Sequence, residues 1–364
     1  MRARWRMFCA GVFLISITLL VSHACAEESI QVLTPIYTVD RIYKSMTGPN
    51  FLQQGIYLSK SKEPELLWIT GFKADMVAPD GKAPESREFM CHNTFSLNYD
   101  IDQHRKLLGT DNFGGTKRLF TLAQGQMEIR FPKGFGIPVY SNEKFMQQAQ
   151  VLNLNFKNDT KQLRQKSTVY FVRDKELKEP MQPLFLTDVY GYVLIEGDAG
   201  YPNVKNPDKE KHGPGCSMGE AASTNVTHDQ FGRKFTGHWV VKPGRQIDHT
   251  LVTSGLNLPF DTSIHYINVH LHPFAESFEL RDLTTNKSLF KSKVKNYRHR
   301  IGVDNMTYFS STKGIPVYKN HEYEVIVIYN NTTKENQDAM AFMFVYMLDK
   351  EFKNTPPKGL SLQK

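Results

Sequence analysis

Cysteine is scarce in this chain, with four in 364 residues, and Cys9 and Cys25 both fall within the first 25. Helical periodicity is nearly absent. Beyond the N-terminal segment no apolar run reaches the roughly 20 residues a membrane helix needs, so the sequence predicts no membrane span. Lys and Arg are scattered among acids rather than clustered, which argues against a nucleic-acid surface despite a formal charge of +8. No Ser-His-Asp order, phosphate-binding glycine loop or nucleotide motif occurs, so nothing points to a serine hydrolase or a nucleotide enzyme.

What is present begins with an export signal. Arg2, Arg4 and Arg6 precede the apolar run 11–21, and Ala24-Cys25-Ala26 supplies the small residues of a cleavage site. The expected signal peptide is 1–26, cut after Ala26, with lipidation of Cys25 as the alternative. Removing it leaves 338 of the 364 residues. The charge falls from +8 to +5, because three arginines leave and no acid does. The expected location is exported, periplasmic or secreted. Two cysteines remain. In an oxidising compartment Cys91 and Cys216 are candidates for a disulfide, and a metal-thiolate role beside His92 is the other reading of Cys91.

The rest reads as β-strand. Segments such as MEIRF, TVYFV, HWVVK, YINVHLH, YEVIVIYN and MAFMFVYML are rich in Val, Ile, Phe and Tyr, and several alternate at period two. Asp80-Gly81 marks a hairpin turn. One segment, NEKFMQQAQVL at 142–152, is the best helix candidate. Many short strands with Gly, Pro and Asn turns indicate an all-β protein of sandwiches or barrels. Between them, residues 201–224 are dominated by Gly, Pro and polar side chains, as in a linker or long loop. The expected division is therefore 27–200 and 225–350, with a polar tail at 351–364.

The chemistry concentrates in HLHPF. On a strand, alternate residues share a face, so His270 and His272 lean the same way while Leu271 points into packing. A second strand, DAMAFMFVYM, carries Met340 with Phe342, Phe344 and Tyr346 on its face. Each motif alone has a bland reading, surface histidines or a core methionine. Together, two imidazoles and a thioether form a set that selects copper, Cu(I) in particular.

HLHPFAESFEL with DAMAFMFVYM resembles the second domain of the copper type II, ascorbate-dependent monooxygenases of the peptidylglycine hydroxylase type. LLWITGFKADMVAPDGK, EFMCHN, TGHWVVKPGR and GIPVYKNHEYEVIVIYNN extend the likeness to the stress-up-regulated nodulin family, over most of residues 50–350. The resemblance implies two tandem antiparallel, jelly-roll-like β-sandwiches. It assigns His270, His272 and Met340 as copper ligands, and implies dioxygen-dependent hydroxylation with ascorbate or another reductant. The first domain departs from the pattern. Where the monooxygenases place a histidine pair and a later histidine, this chain has His92-Asn93 and Asn155, so a second copper is in doubt. His92 and His238 are secondary metal candidates, and a satisfied core histidine is the alternative for His238. The alternatives for the whole chain are a non-catalytic copper carrier and a metal-free, stress-associated binding module.

Overall fold

The computed structural model describes residues 26–353 except 46, 62, 109–115, 196–204 and 206–225. The expected signal peptide up to Cys25, most of the Gly/Pro segment with Cys216, and the tail beyond Lys353 lie outside the described residues. Among the described residues no helix is long and apolar enough to cross a membrane.

The fold is all-β. One long sheet runs through the whole molecule, and its main path orders the strands Glu28–Leu33, Lys161–Arg173, Leu66–Val77, Phe135–Tyr140, Gln182–Tyr190, Gln337–Leu348, Thr262–Leu271 and Phe309–Val317. A sheet of Asn50–Ile56, Phe145–Val151, Met90–Leu97 and Arg118–Leu122 completes the first sandwich. A sheet of Gly244–Leu251, Tyr323–Asn331, Ala275–Asp282, Lys287–Asn296 and Val303–Met306 completes the second. The long sheet changes sandwich at a short parallel pairing of Phe135–Gly136 with Gln182–Pro183. From there Gln182–Tyr190, which precedes the Gly/Pro segment in sequence, pairs along Leu184–Tyr190 with Phe342–Leu348 of the second half.

Aromatic packing fills the first sandwich. Phe72 of the long sheet stacks on Phe95 and Phe120 of the facing sheet at 5.8 and 5.3 Å, and Phe95 stacks on Phe145 at 5.1 Å. Such offset pairs each add about 0.5–1.5 kcal/mol beyond the area they bury. The segment expected as a helix forms the strand Phe145–Val151, paired on both sides with Asn50–Ile56 and Met90–Leu97. Phe145, Ala149 and Val151 are fully buried at period two, and this cross-strand packing overrides the local helical preference of its Gln and Ala residues. An eight-residue helix, Ile101–Leu108, lies just after the strand Met90–Leu97.

Strand alternation sorts the two faces of the first sandwich's small sheet. Asn93 and Phe95 point into its core, and His92 and Thr94 point out of it. In the second sandwich, Phe342 and Tyr346 likewise turn their side chains away from their own core. Tyr346 donates from its hydroxyl to the Leu119 carbonyl at 2.9 Å, and Asn268 Nδ2 donates to the Thr121 carbonyl at 3.2 Å. These bonds join the second sandwich to Arg118–Leu122, the edge strand of the first sandwich's small sheet.

Candidate metal centre

A cavity of about 220 Å³ lies in that junction. From the first sandwich it is walled by Ser45, Cys91, His92, Thr94, Arg118, Thr121 and Gln148, and from the second by Tyr190, His238, His270, His272, Met340 and Phe342. The three ligand residues expected from the sequence thus line one space. Both secondary candidates, His92 and His238, line it with them.

Register explains the convergence. Strand Gln337–Leu348 lies between His238–Val241 on one side and Thr262–Leu271 on the other. His238 stands directly across from Met340, and His270 across from Phe342. Leu271 pairs with Ala341, which leaves His272 beside Met340 at the strand end. The His272 backbone N–H donates to the Tyr329 hydroxyl at 3.2 Å, and that hydroxyl donates to the Met340 carbonyl at 2.7 Å. Tyr329 is fully buried, so it ties the strands that carry His272 and Met340 together from beneath. After His272 the chain turns through Pro273 and through Phe274 at φ 73°, and leaves the sheet.

The imidazoles are buried and close. His238, His270 and His272 are 2%, 7% and 7% exposed. Ring centres are 5.5 Å apart for His270 and His272, and 5.2 Å for His238 and His272. With metal–imidazole bonds of about 2 Å, two rings on one ion have their centres roughly 5–6 Å apart. His270 also stacks on Phe342 at 4.5 Å. The Nδ1 atoms of His270 and His272, and both ring nitrogens of His238, are buried without a hydrogen-bond partner. Among the described residues, however, no group of three or more His, Cys, Asp or Glu side chains stands ready to hold a metal ion. Binding therefore calls for the rings to turn about their side-chain torsions. It also calls for the Met340 thioether, a donor outside those four residue types.

The site's electrostatics keep the rings neutral. Burial, followed by the neighbouring His238, takes His272 down to about 3. Burial and then the nearby His272, His92, Arg118 and His238 hold His270 well below its ordinary value. His92 is lowered to about 4 by burial and by the Arg118 guanidinium. A neutral imidazole is the ligating form. Arg118 supplies the cavity's fixed positive charge, lying 5.9 Å over the Phe342 ring and 3.4 Å from the Tyr190 hydroxyl. Tyr190 in turn donates to Asp188 at 3.2 Å.

Asn93 and Asn155 are engaged elsewhere. Asn93 Nδ2 donates to Gln165 Oε1 at 2.8 Å, and its Oδ1 accepts from Ser167 Oγ at 3.1 Å, inside the first core. Asn155 reaches the second sandwich, exchanging bonds of 2.8 and 2.9 Å with the Ile301 backbone. Neither joins His92. Cys91 is buried, and its expected partner Cys216 lies outside the described residues.

Sequence reasoning missed that His92 shares a single cavity with His270, His272 and Met340, and it missed the contribution of Arg118. Nothing in the sequence says which faces two sandwiches press together. No protein-family model and no curated protein matches the chain. Among solved structures it is similar to the CUB1-EGF-CUB2 domains of rat MASP-1, with 10% identity over 87% of this chain and 96% of that one. The TM-score of that match is 0.17, at which the likeness carries no argument.

Proposed function

We propose that this is an exported copper-binding protein that holds one Cu(I) between its sandwiches through His270, His272 and Met340. One observation carries the reading: two buried imidazoles, each with an unpartnered Nδ1, line the same cavity as a thioether brought there by the neighbouring strand. The donor set fits a soft monovalent ion better than zinc, calcium or magnesium. When bound, copper supplies one-electron redox and Lewis-acid chemistry. The chain's part is to position the donors through the strand register and the Tyr329 tie, and to keep them unprotonated by burial. Because Asn93 and Asn155 serve packing and docking, the first sandwich offers no histidine set for a second copper. That favours holding or delivering the ion over the two-copper hydroxylation implied by the resemblance.

Cu(I)-loaded, dialysed protein is expected to retain about one ion per chain. Met340→Ala is expected to retain it less firmly, and His270→Ala/His272→Ala to lose it. Equal retention by the double variant and the wild type would remove the copper reading and leave a metal-free binding module. A second reading, hydroxylation of a small molecule or peptide with ascorbate as reductant, draws on the room in the cavity and on the Arg118–Tyr190 wall. Ascorbate-driven oxygen uptake faster than that of free copper would favour it.

A further inference from the structure

The cavity holds two imidazoles that the three-ligand reading leaves unused, His92 and His238. His238 begins the strand His238–Val241 and sits opposite Met340. Its ring centre is nearer to that of His272, at 5.2 Å, than is that of His270, at 5.5 Å. Neither of its ring nitrogens has a partner, and both are buried. A neutral imidazole carries one N–H and one lone pair. Leaving a buried polar group unsatisfied is destabilising, and here both groups of one ring are left so. The adjacent hydroxyl cannot help, because Thr236 Oγ1 is taken up by the His238 backbone, accepting from its N–H at 3.1 Å and donating to its carbonyl at 2.9 Å. A satisfied core histidine would have a protein partner, as His265 does in Ser263 at 2.8 Å and the Ser311 carbonyl at 2.9 Å. His92 shares the cavity, but neither of its nitrogens is left buried and unpartnered.

We infer that His238 is a fourth donor to the ion held by His270, His272 and Met340. The inference rests on the copper reading and deepens it. Among the described residues the three rings do not converge on one point as they stand, so closing the set requires them to turn about their side-chain torsions; three imidazoles and a thioether then satisfy Cu(I) without an added ligand. The protein is then a Cu(I) holder whose exchange requires a competing donor, such as a thiolate or thioether of an acceptor, to displace one of the four.

Carbon monoxide tests this, because it binds Cu(I) where a coordination position is open and reports itself through its infrared stretch. Full-length protein loaded with one equivalent of Cu(I) under anaerobic conditions is expected to show no such band, with X-ray absorption showing three nitrogen neighbours and one sulfur. His238→Ala is expected to keep copper with about 100-fold lower affinity, at or beyond the upper end of what losing a merely orienting partner costs, and to gain the carbon monoxide band. His238→Gln keeps more of the volume should the alanine variant fold poorly, and the wild-type spectrum decides without any variant. A full band in the wild type, with the double variant His270→Ala/His272→Ala still unable to hold copper, overturns the fourth donor and leaves the copper reading standing. No Cu(I) retained by the wild type, or equal retention by the double variant, overturns the copper reading itself.

Discussion

His272 concentrates the conflict in this molecule: a titratable ring held where it cannot take a proton. Burial and the nearby His238 take it down to about 3, burial and Arg118 take His92 to about 4, and burial with the rings around it holds His270 well below its ordinary value, while the Asp338 carbonyl pulls His272 the other way. In the unfolded chain these rings titrate near about 6.5. Between those values the unfolded state binds more protons, so their contribution to stability is complete above about 6.5 and is lost as pH falls towards 4. The metal-free protein is expected to melt at progressively lower temperature as pH drops from 7 to 5. His270→Gln/His272→Gln should flatten that slope, as thermal denaturation across pH would show. Asn93 is the residue-scale counterpart in the first sandwich. Since its amide bonds Gln165 and Ser167 in the core, Asn93→His is expected to cost about 1–3 kcal/mol through unpaired buried groups. It should not raise copper stoichiometry above that of the wild type, as metal analysis after dialysis would check.

Among the elements, the strand Gln337–Leu348 and its neighbours decide the site. The Tyr329 hydroxyl joins the His272 and Met340 backbones across two strands, so Tyr329→Phe is expected to lower stability by about 1–3 kcal/mol and to speed copper loss. Urea unfolding and chelator competition would measure the two effects. Much at this scale was legible in the sequence. Period-two alternation put His270 with His272, and Met340 with Phe342 and Tyr346, because a strand's faces follow from its backbone alone. The segment at 142–152 was not legible. Its Gln and Ala residues suit a helix, and only its long-range partners in Asn50–Ile56 and Met90–Leu97 make it a strand. His238 stayed ambiguous for the same reason: whether an imidazole has a partner depends on neighbours far away in sequence, as His265 and Ser311 illustrate from the satisfied side.

Over the whole molecule, the two sandwiches are joined by more than a chain crossing. Gln182–Tyr190 belongs in sequence to the first half and in pairing to the second. Gln124 accepts from the Val303 N–H at 3.0 Å, Arg87 pairs with Asp304 at 2.6 Å, and Asn155 holds Ile301. A fragment ending at residue 200 would expose the buried edge Leu184–Val189 without its partner strand, and such edges associate. That fragment is expected to aggregate or to run as oligomers in size-exclusion chromatography, while the full chain runs as a defined species. The composition break at 201–224 was visible in the sequence, but the strand that crosses it in space was not, because pairing partners more than 150 positions apart leave no local trace.

The placement of Met340 has one more outcome. Its strand is hemmed by three others, and neighbouring side chains on it face opposite ways, so slipping by a single position would swap the thioether for an alanine methyl group. An insertion or deletion within that ribbon would turn every later side chain to the wrong face: what the strand must keep is a count as well as a spelling.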